Sequence, residues 1–161
     1  MQISRFADYG LRILIYLTQT PGRAVPMREI AAFFDISHEH LRKVVHHLSQ
    51  AGLIHGDRGR LGGLRLAHDP ATIRVGAVLD DMDKPAAIVE CYGRNPCRLA
   101  PGCRLEGALE EARGTFMERL NRYTLADMVA TPAMRRKFDT LGDALVDALG
   151  EAAVPPVGEA P

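Results

Sequence analysis

The chain has 161 residues, 47% hydrophobic and 25% charged, the proportions of a folded domain or of a small domain with a helical arm. Its longest apolar run near the N-terminus, Ile13–Leu17, is five residues long and follows Arg12, far short of the roughly 20 needed to span a bilayer. With no signal-peptide pattern in view, the expectation is a cytoplasmic protein with no membrane partner. Net charge is zero but unevenly spread. Residues 1–79 hold ten Lys/Arg against six Asp/Glu (+4), and residues 80–161 hold ten against fourteen (−4). A basic first half suits a polyanion.

A first helix is predicted from Ser4 to Thr20, where Phe6, Tyr9, Ile13, Leu14 and Leu17 recur at helical steps before Pro21-Gly22. A second opens with Pro26 as a first helical position and places Met27, Ile30, Ala31 and Phe34 on one face. After the break at Asp35-Ile36, Ser37 is a good N-cap for a third helix. This helix buries Leu41, Val44, Val45 and Leu48 and ends at Ala51-Gly52. Residues 53–55 and 64–66 then read as two short strands around a glycine-rich basic loop, residues 56–63. Helix, short break, helix and hairpin is the order of a winged helix-turn-helix.

Further on, residues 70–82 give a linker and short helix, and Gly93, Pro96, Pro101 and Gly102 mark residues 90–103 as a loop. A long helix follows from Arg104, with Leu105, Leu109, Ala112, Phe116, Leu120 and Tyr123 in one stripe. Such a stripe on an arm outside a compact domain pairs with a copy of itself, which predicts a homodimer. Met134, Phe138, Leu141, Leu145 and Leu149 suggest a last amphipathic helix, and residues 150–161 have the composition of a disordered tail. The expected class is mainly α with a small β-hairpin wing. Its parts are residues 1–82, the winged helix-turn-helix; 83–103, a cysteine loop; 104–131, a dimerisation helix and a short helix; and 132–161, a C-terminal extension.

The exposed face of the third helix offers His38, Glu39, Arg42, Lys43, His46 and His47. A recognition helix puts its first turns near base edges in the major groove, so Ser37, His38, His40 and Arg42 are candidates for contact with a double-stranded DNA operator. Arg42 can read guanine bidentately, and Lys43 suits phosphate. On the wing, Arg58 and Arg60 stand among glycines that let backbone approach a phosphate or a minor groove.

Cys91, Cys97 and Cys103 are spaced C-x5-C-x5-C on the broken loop. Inert buried thiols, zinc with a fourth Asp, Glu or His ligand, and an iron–sulfur cluster are all open to such a set. Three thiolates approaching one core from different directions suit the cluster best. Cys103 stands where a helix N-terminus stabilises negative charge, and Glu106, one turn on, is the local candidate for a fourth ligand. There is no Cys-x-x-Cys pair, phosphate loop or cofactor fingerprint, so no enzyme is expected.

Taken in order, Phe6-Ala7-Asp8-Tyr9-Gly10-Leu11-Arg12, the wing Arg58-Gly59-Arg60-Leu61-Gly62-Gly63, the cysteine triplet and Tyr123-Thr124-Leu125-Ala126-Asp127 resemble the Rrf family of winged-helix repressors over about residues 1–131. Within it they resemble the nitric-oxide-sensing branch. The resemblance implies a homodimer with a swapped long helix and nitric oxide as signal. It also implies a [4Fe-4S] cluster, in preference to [2Fe-2S], on Cys91, Cys97 and Cys103 of one subunit and the partner's Asp8. Read on its own, Asp8 is a surface partner for Arg12 at i+4. A [2Fe-2S] sibling carries histidine where this chain has Glu106, so that site type is not expected. An iron-responsive sibling lacks the first-helix aspartate.

Overall fold

The computed structural model describes residues 3–57, 63–83, 88–89, 91–92, 95–138 and 140. It is mainly helical with a two-stranded antiparallel hairpin, as expected: α1 (Arg5–Gln19), α2 (Met27–Phe34), α3 (His38–Gln50), β1 (Ile54–Gly56), β2 (Leu64–Leu66), α4 (Val75–Met82), α5 (Arg104–Leu120) and α6 (Leu125–Val129).

Caps set the helix ends. Ser4 Oγ accepts the Ala7 N–H at 3.1 Å, and α1 buries Ala7, Gly10, Ile13, Leu14, Tyr16 and Leu17 along one side. Pro26 is the N-cap of α2 rather than its first helical residue, because its ψ of 136° is still extended. Asp35 closes α2 in the left-handed region at φ 51°, which its short side chain tolerates. Ser37 caps α3 as predicted. At the other end of α3, Leu53 N–H returns to Leu48 O at 2.9 Å and Gly52 N–H to Ser49 O at 3.1 Å, with Gly52 at φ 70°. This Schellman cap takes up Leu53, so the strand begins one residue later than periodicity suggested.

The hairpin pairs Ile54 with Leu66 and Gly56 with Leu64, and Leu64 also bridges to Val25 in the segment before α2. That bridge explains Gly63. A Cβ there would lie 2.7 Å from the Ala24 carbonyl carbon and 2.8 Å from Val25 backbone atoms. At Gly63 the close approach is to the chain's own backbone, while Gly59 and Gly62, between which Arg60 stands, lie outside the described residues. Gly63→Ala should destabilise the fold by about 2 kcal/mol in urea unfolding. Gly56→Ala, whose Cβ would meet nothing within 4 Å, serves as the control.

Ile13, Leu14, Ile30, Leu41, Leu48, Ile54, Leu79 and Leu125 are the largest fully buried side chains, and they join α1, α2, α3, the hairpin, α4 and α6 in one core. The segment Tyr123–Asp127 acts as a clasp. Leu125 N–H donates to Ile73 O and Val75 N–H to Tyr123 O, both at 3.0 Å, while Thr124 and Asp127 form a capping box on α6. Depressed by its hydrogen bonds from Thr124, the Asp127 carboxyl stays below the usual range.

Unlike the other long helices, α5 has no buried residue. Its second half does lie on the core through Phe116, Met117 and Leu120. Gly76 permits this, since a Cβ there would stand 2.7 Å from Met117 O. The first half is open, with Leu105 65% exposed. Residues 132–138 are helical, and Phe138 stacks on Phe33 at 5.1 Å. Leu141, Leu145, Leu149 and the tail 150–161 fall outside the described residues.

Candidate metal centre and nucleic-acid interface

All three cysteines are free thiols, Cys97 exposed and the other two half-buried. Backbone bonds shape their loop: Cys97 N–H donates to Cys91 O at 3.0 Å and Ala100 N–H to Cys97 O at 3.1 Å. Gly102, at φ 94°, turns the chain into Cys103, which is the N-cap of α5 and uses no side-chain bond in that role. Partial burial pushes the Cys91 thiol up, and the charges of Glu106, Cys97 and Cys103 push it further.

Glu106 is already engaged. Its Oε2 accepts the Tyr92 hydroxyl at 3.1 Å, and that bond, before burial, holds the Tyr92 hydroxyl above its ordinary range. Asp8 lies on α1, where it pairs with Arg12 at 2.8 Å and accepts a second bond from Arg12 Nε at 3.0 Å. Within one chain, then, Asp8 has the plain i+4 partnership that helical spacing suggests. Among the described residues, no three His, Cys, Asp or Glu side chains are grouped closely enough to hold a metal ion. Even so, the donor types suit an iron–sulfur cluster: three free thiols stand on one loop, one of them at a helix N-terminus.

The reading face is α3. His38, Glu39, His40, Arg42, Lys43 and His46 are exposed along it. Ser37 Oγ accepts the His40 N–H at 3.4 Å and meets His40 Nδ1 at 2.8 Å, so Ser37 and His40 act as one unit at the start of the helix. Lys43 is 3.6 Å from Glu39, a loose surface pair. Among the described residues Arg42 carries no ion pair. His47 departs from expectation: it is half-buried, its Nε2 is 2.9 Å from Asp81 of α4, and its ring meets Phe6 edge-on. Arg58 and Arg60 lie outside the described residues.

Sequence reasoning missed two arrangements. Successive residues of α4 bridge to different helices, Asp80 to Arg113 of α5 at 3.2 Å and Asp81 to His47 of α3. Elsewhere Glu29 is buried, accepting from the Tyr16 hydroxyl at 2.7 Å and from both terminal nitrogens of Arg23 at 2.8 and 2.5 Å. Burial alone would raise the Glu29 carboxyl, but the bonds from Arg23 and Tyr16 outweigh it and hold the group below its ordinary value. Neither arrangement has a local signal beyond an acid on a helix.

Comparison with known proteins agrees with the helical fold and its hairpin. Residues 3–131 match the Rrf2 family of iron-dependent transcriptional regulators. The chain belongs to the Rrf2 family. It is 40% identical over 132 residues to the HTH-type transcriptional regulator NsrR of Shouchella clausii, covering 80% of this chain and 89% of that one. To the regulator of the same name from Geobacillus kaustophilus it is 41% identical over 139 residues, 84% and 95% of the two chains. Among solved structures, T. potens IscR superposes with TM-score 0.65 at 26% identity, over 80% of this chain and 86% of that one. CymR, the global cysteine regulator of B. subtilis, gives 0.58 at 28%, over 81% and 97%. The family match ends at residue 131, leaving the helical residues 132–138 outside the Rrf2 core. No helix among the described residues is long and apolar enough to cross a membrane.

Proposed function

We propose that this Rrf2 transcriptional regulator is a homodimeric, cytoplasmic repressor that binds an operator through α3 and the wing and releases it when nitric oxide damages an iron–sulfur cluster. The cysteine loop leading into α5 carries the reading: three free thiols on one short loop, the last of them capping the helix.

In this reading residues 1–82 bind DNA, 83–103 hold the cluster, and 104–131 pair with a second copy along the open half of α5, where Leu105 is unpartnered. Cys91, Cys97 and Cys103 of one protomer and the partner's Asp8 hold a [4Fe-4S] cluster. When bound, it supplies iron that nitric oxide attacks. A carboxylate is a harder and weaker iron ligand than thiolate, and Asp8 also answers to Arg12, so the fourth position is the weakest tether.

The chain itself provides a route from loop to reading head. Cys103 begins α5, Arg113 of α5 holds Asp80, and the next residue of α4, Asp81, holds His47 on α3. In this reading a shift of the loop reaches α3 through these two partly exposed ion pairs. Two such heads must meet half-sites about one helical turn apart, so a small change in their relation costs affinity. A coupling of about 1–3 kcal/mol changes affinity by roughly 5–150-fold, enough for a switch. Ser37, His38, His40, Arg42 and Lys43 face the duplex, with Arg58 and Arg60 of the wing reaching phosphate or minor groove.

The test is anaerobic purification, an iron and visible-absorption measurement, and a nitric oxide titration that follows binding to a duplex obtained by in vitro selection. Arg42→Ala should cost about 1–3 kcal/mol on the selected duplex and relax preference at one position. Operator binding that ignores nitric oxide, or a colourless protein with stoichiometric zinc, ends the sensor reading.

A further inference from the structure

The C-terminal helical segment, residues 132–138, lies beyond residues 3–131, which match the Rrf2 family. It is held against the DNA-binding half by aromatic packing. The Phe138 ring stacks on Phe33 of α2 at 5.1 Å and 9° between planes, and meets Tyr16 of α1 edge-on at 5.6 Å. Phe33 in turn packs edge-on against both Phe34 and Tyr16 at 4.8 Å. Just before it, Gln19 Nε2 reaches Val129 O at 3.4 Å. The segment is therefore docked on the helix-turn-helix at several points.

Met134 and Phe138, four residues apart, turn inward and are partly buried, which turns Arg135, Arg136 and Lys137 outward. All three are exposed, and among the described residues none has an ion-pair partner. The nearest acid in sequence, Asp139, lies outside the described residues. In a helix-turn-helix the first helix of the pair crosses the DNA backbone while the second enters the major groove. Here that first helix is α2, and the three cations ride on a helix stacked against it.

We propose that Arg135, Arg136 and Lys137 form a further phosphate-contacting patch, which Phe138 docks beside α2 and which adds sequence-independent affinity for duplex DNA. This rests on the DNA-binding reading above. Contacts of this kind position the protein and release counterions without reading bases. Each phosphate neutralised adds roughly 0.9 to the slope of log affinity against log salt.

The experiment compares full-length protein with a triple variant (Arg135→Gln, Arg136→Gln, Lys137→Gln) and with Phe138→Ala, after thermal melting has shown that each is folded. Binding is measured from about 50 to 200 mM salt on the selected duplex and on an unrelated duplex of equal length. The triple variant should lose up to roughly three units of salt slope per protomer on both duplexes alike, with its ratio of specific to non-specific affinity unchanged. Phe138→Ala, which keeps every charge, should lose a similar slope because the patch is no longer held in place. An unchanged slope in the triple variant overturns the proposal, and so does a full slope in Phe138→Ala. Parent protein that binds no duplex sinks the DNA-binding reading along with this one, whereas normal binding with an unaltered triple variant sinks this one alone.

Discussion

Cys97→Ala, purified without oxygen, is expected to lack the visible absorption and iron of the parent protein, to bind the selected duplex roughly 5–150-fold more weakly, and to ignore nitric oxide. Cys97 is the informative position because it is the exposed thiol of the three. Its structural contribution to the loop is the backbone N–H bonded to Cys91 O and the carbonyl accepting from Ala100, and alanine retains both. A loss of DNA binding therefore reports the missing sulfur and not a collapsed loop. Asp8→Ala is the companion. Its only side-chain partner among the described residues is Arg12, an exposed i+4 pair worth about 0.3–0.5 kcal/mol, so the unfolding curve should hardly move. If Asp8 is the fourth ligand, the same change shortens the lifetime of the chromophore in air and weakens operator binding. A Cys97→Ala protein that binds as tightly and responds to nitric oxide as fully as the parent would sink the account.

The largest effect on stability is expected at Arg23. Glu29 is 6% exposed, and its charge is supported by Arg23 and by the Tyr16 hydroxyl. Arg23→Ala leaves a buried carboxylate with a single neutral donor. Removing one member of a buried pair costs about 3–5 kcal/mol; the outer end of Arg23 is partly wet, so about 3 is expected in urea unfolding at pH 7. The pH dependence follows from the direction of the shift. The Glu29 carboxyl is held lower in the folded protein than in the unfolded chain. Its stabilisation is therefore complete above the ordinary carboxylate range, near about 4.3, and is lost as pH falls through the depressed folded value. Glu29→Gln should flatten that acid-side loss while lowering stability at neutral pH. An acid limb as steep as the parent's would show that another carboxylate governs it. Tyr16 moves the opposite way, its hydroxyl raised well above the normal range by burial and by its bond to Glu29, so it stays a donor at every pH of interest.

Much of the fold was open to reading from the chain alone. The starts of α1 and α3 were marked by Ser4 and Ser37, and the end of α3 by Gly52, because a cap needs one residue type at one place relative to a helical stripe. The hairpin followed from two short β-forming runs separated by glycines. Errors at boundaries came from local geometry that composition does not carry: Leu53 belongs to the cap of α3, and Pro26 stands just outside α2. The site divides in the same way. Three cysteines on one loop before a helix are visible in sequence, as is the row of polar residues on α3. The engagement of Glu106 by Tyr92, the capping unit of Ser37 and His40, and the half-buried place of His47 are not.

What the sequence by itself determined is everything governed by neighbours along the chain: helix periods, caps, turn glycines, the spacing of the thiols and the identity of the family. Tertiary structure alone decided which acid is buried and which faces water, why Gly63 and Gly76 leave no room for a side chain, and that adjacent aspartates of α4 reach two different helices. The reason is distance in sequence. Glu29 meets Tyr16 across 13 positions, Asp81 meets His47 across 34, and Arg113 meets Asp80 across 33. Local periodicity says which face of a helix is apolar, but only the packing of whole faces fixes which charge meets which.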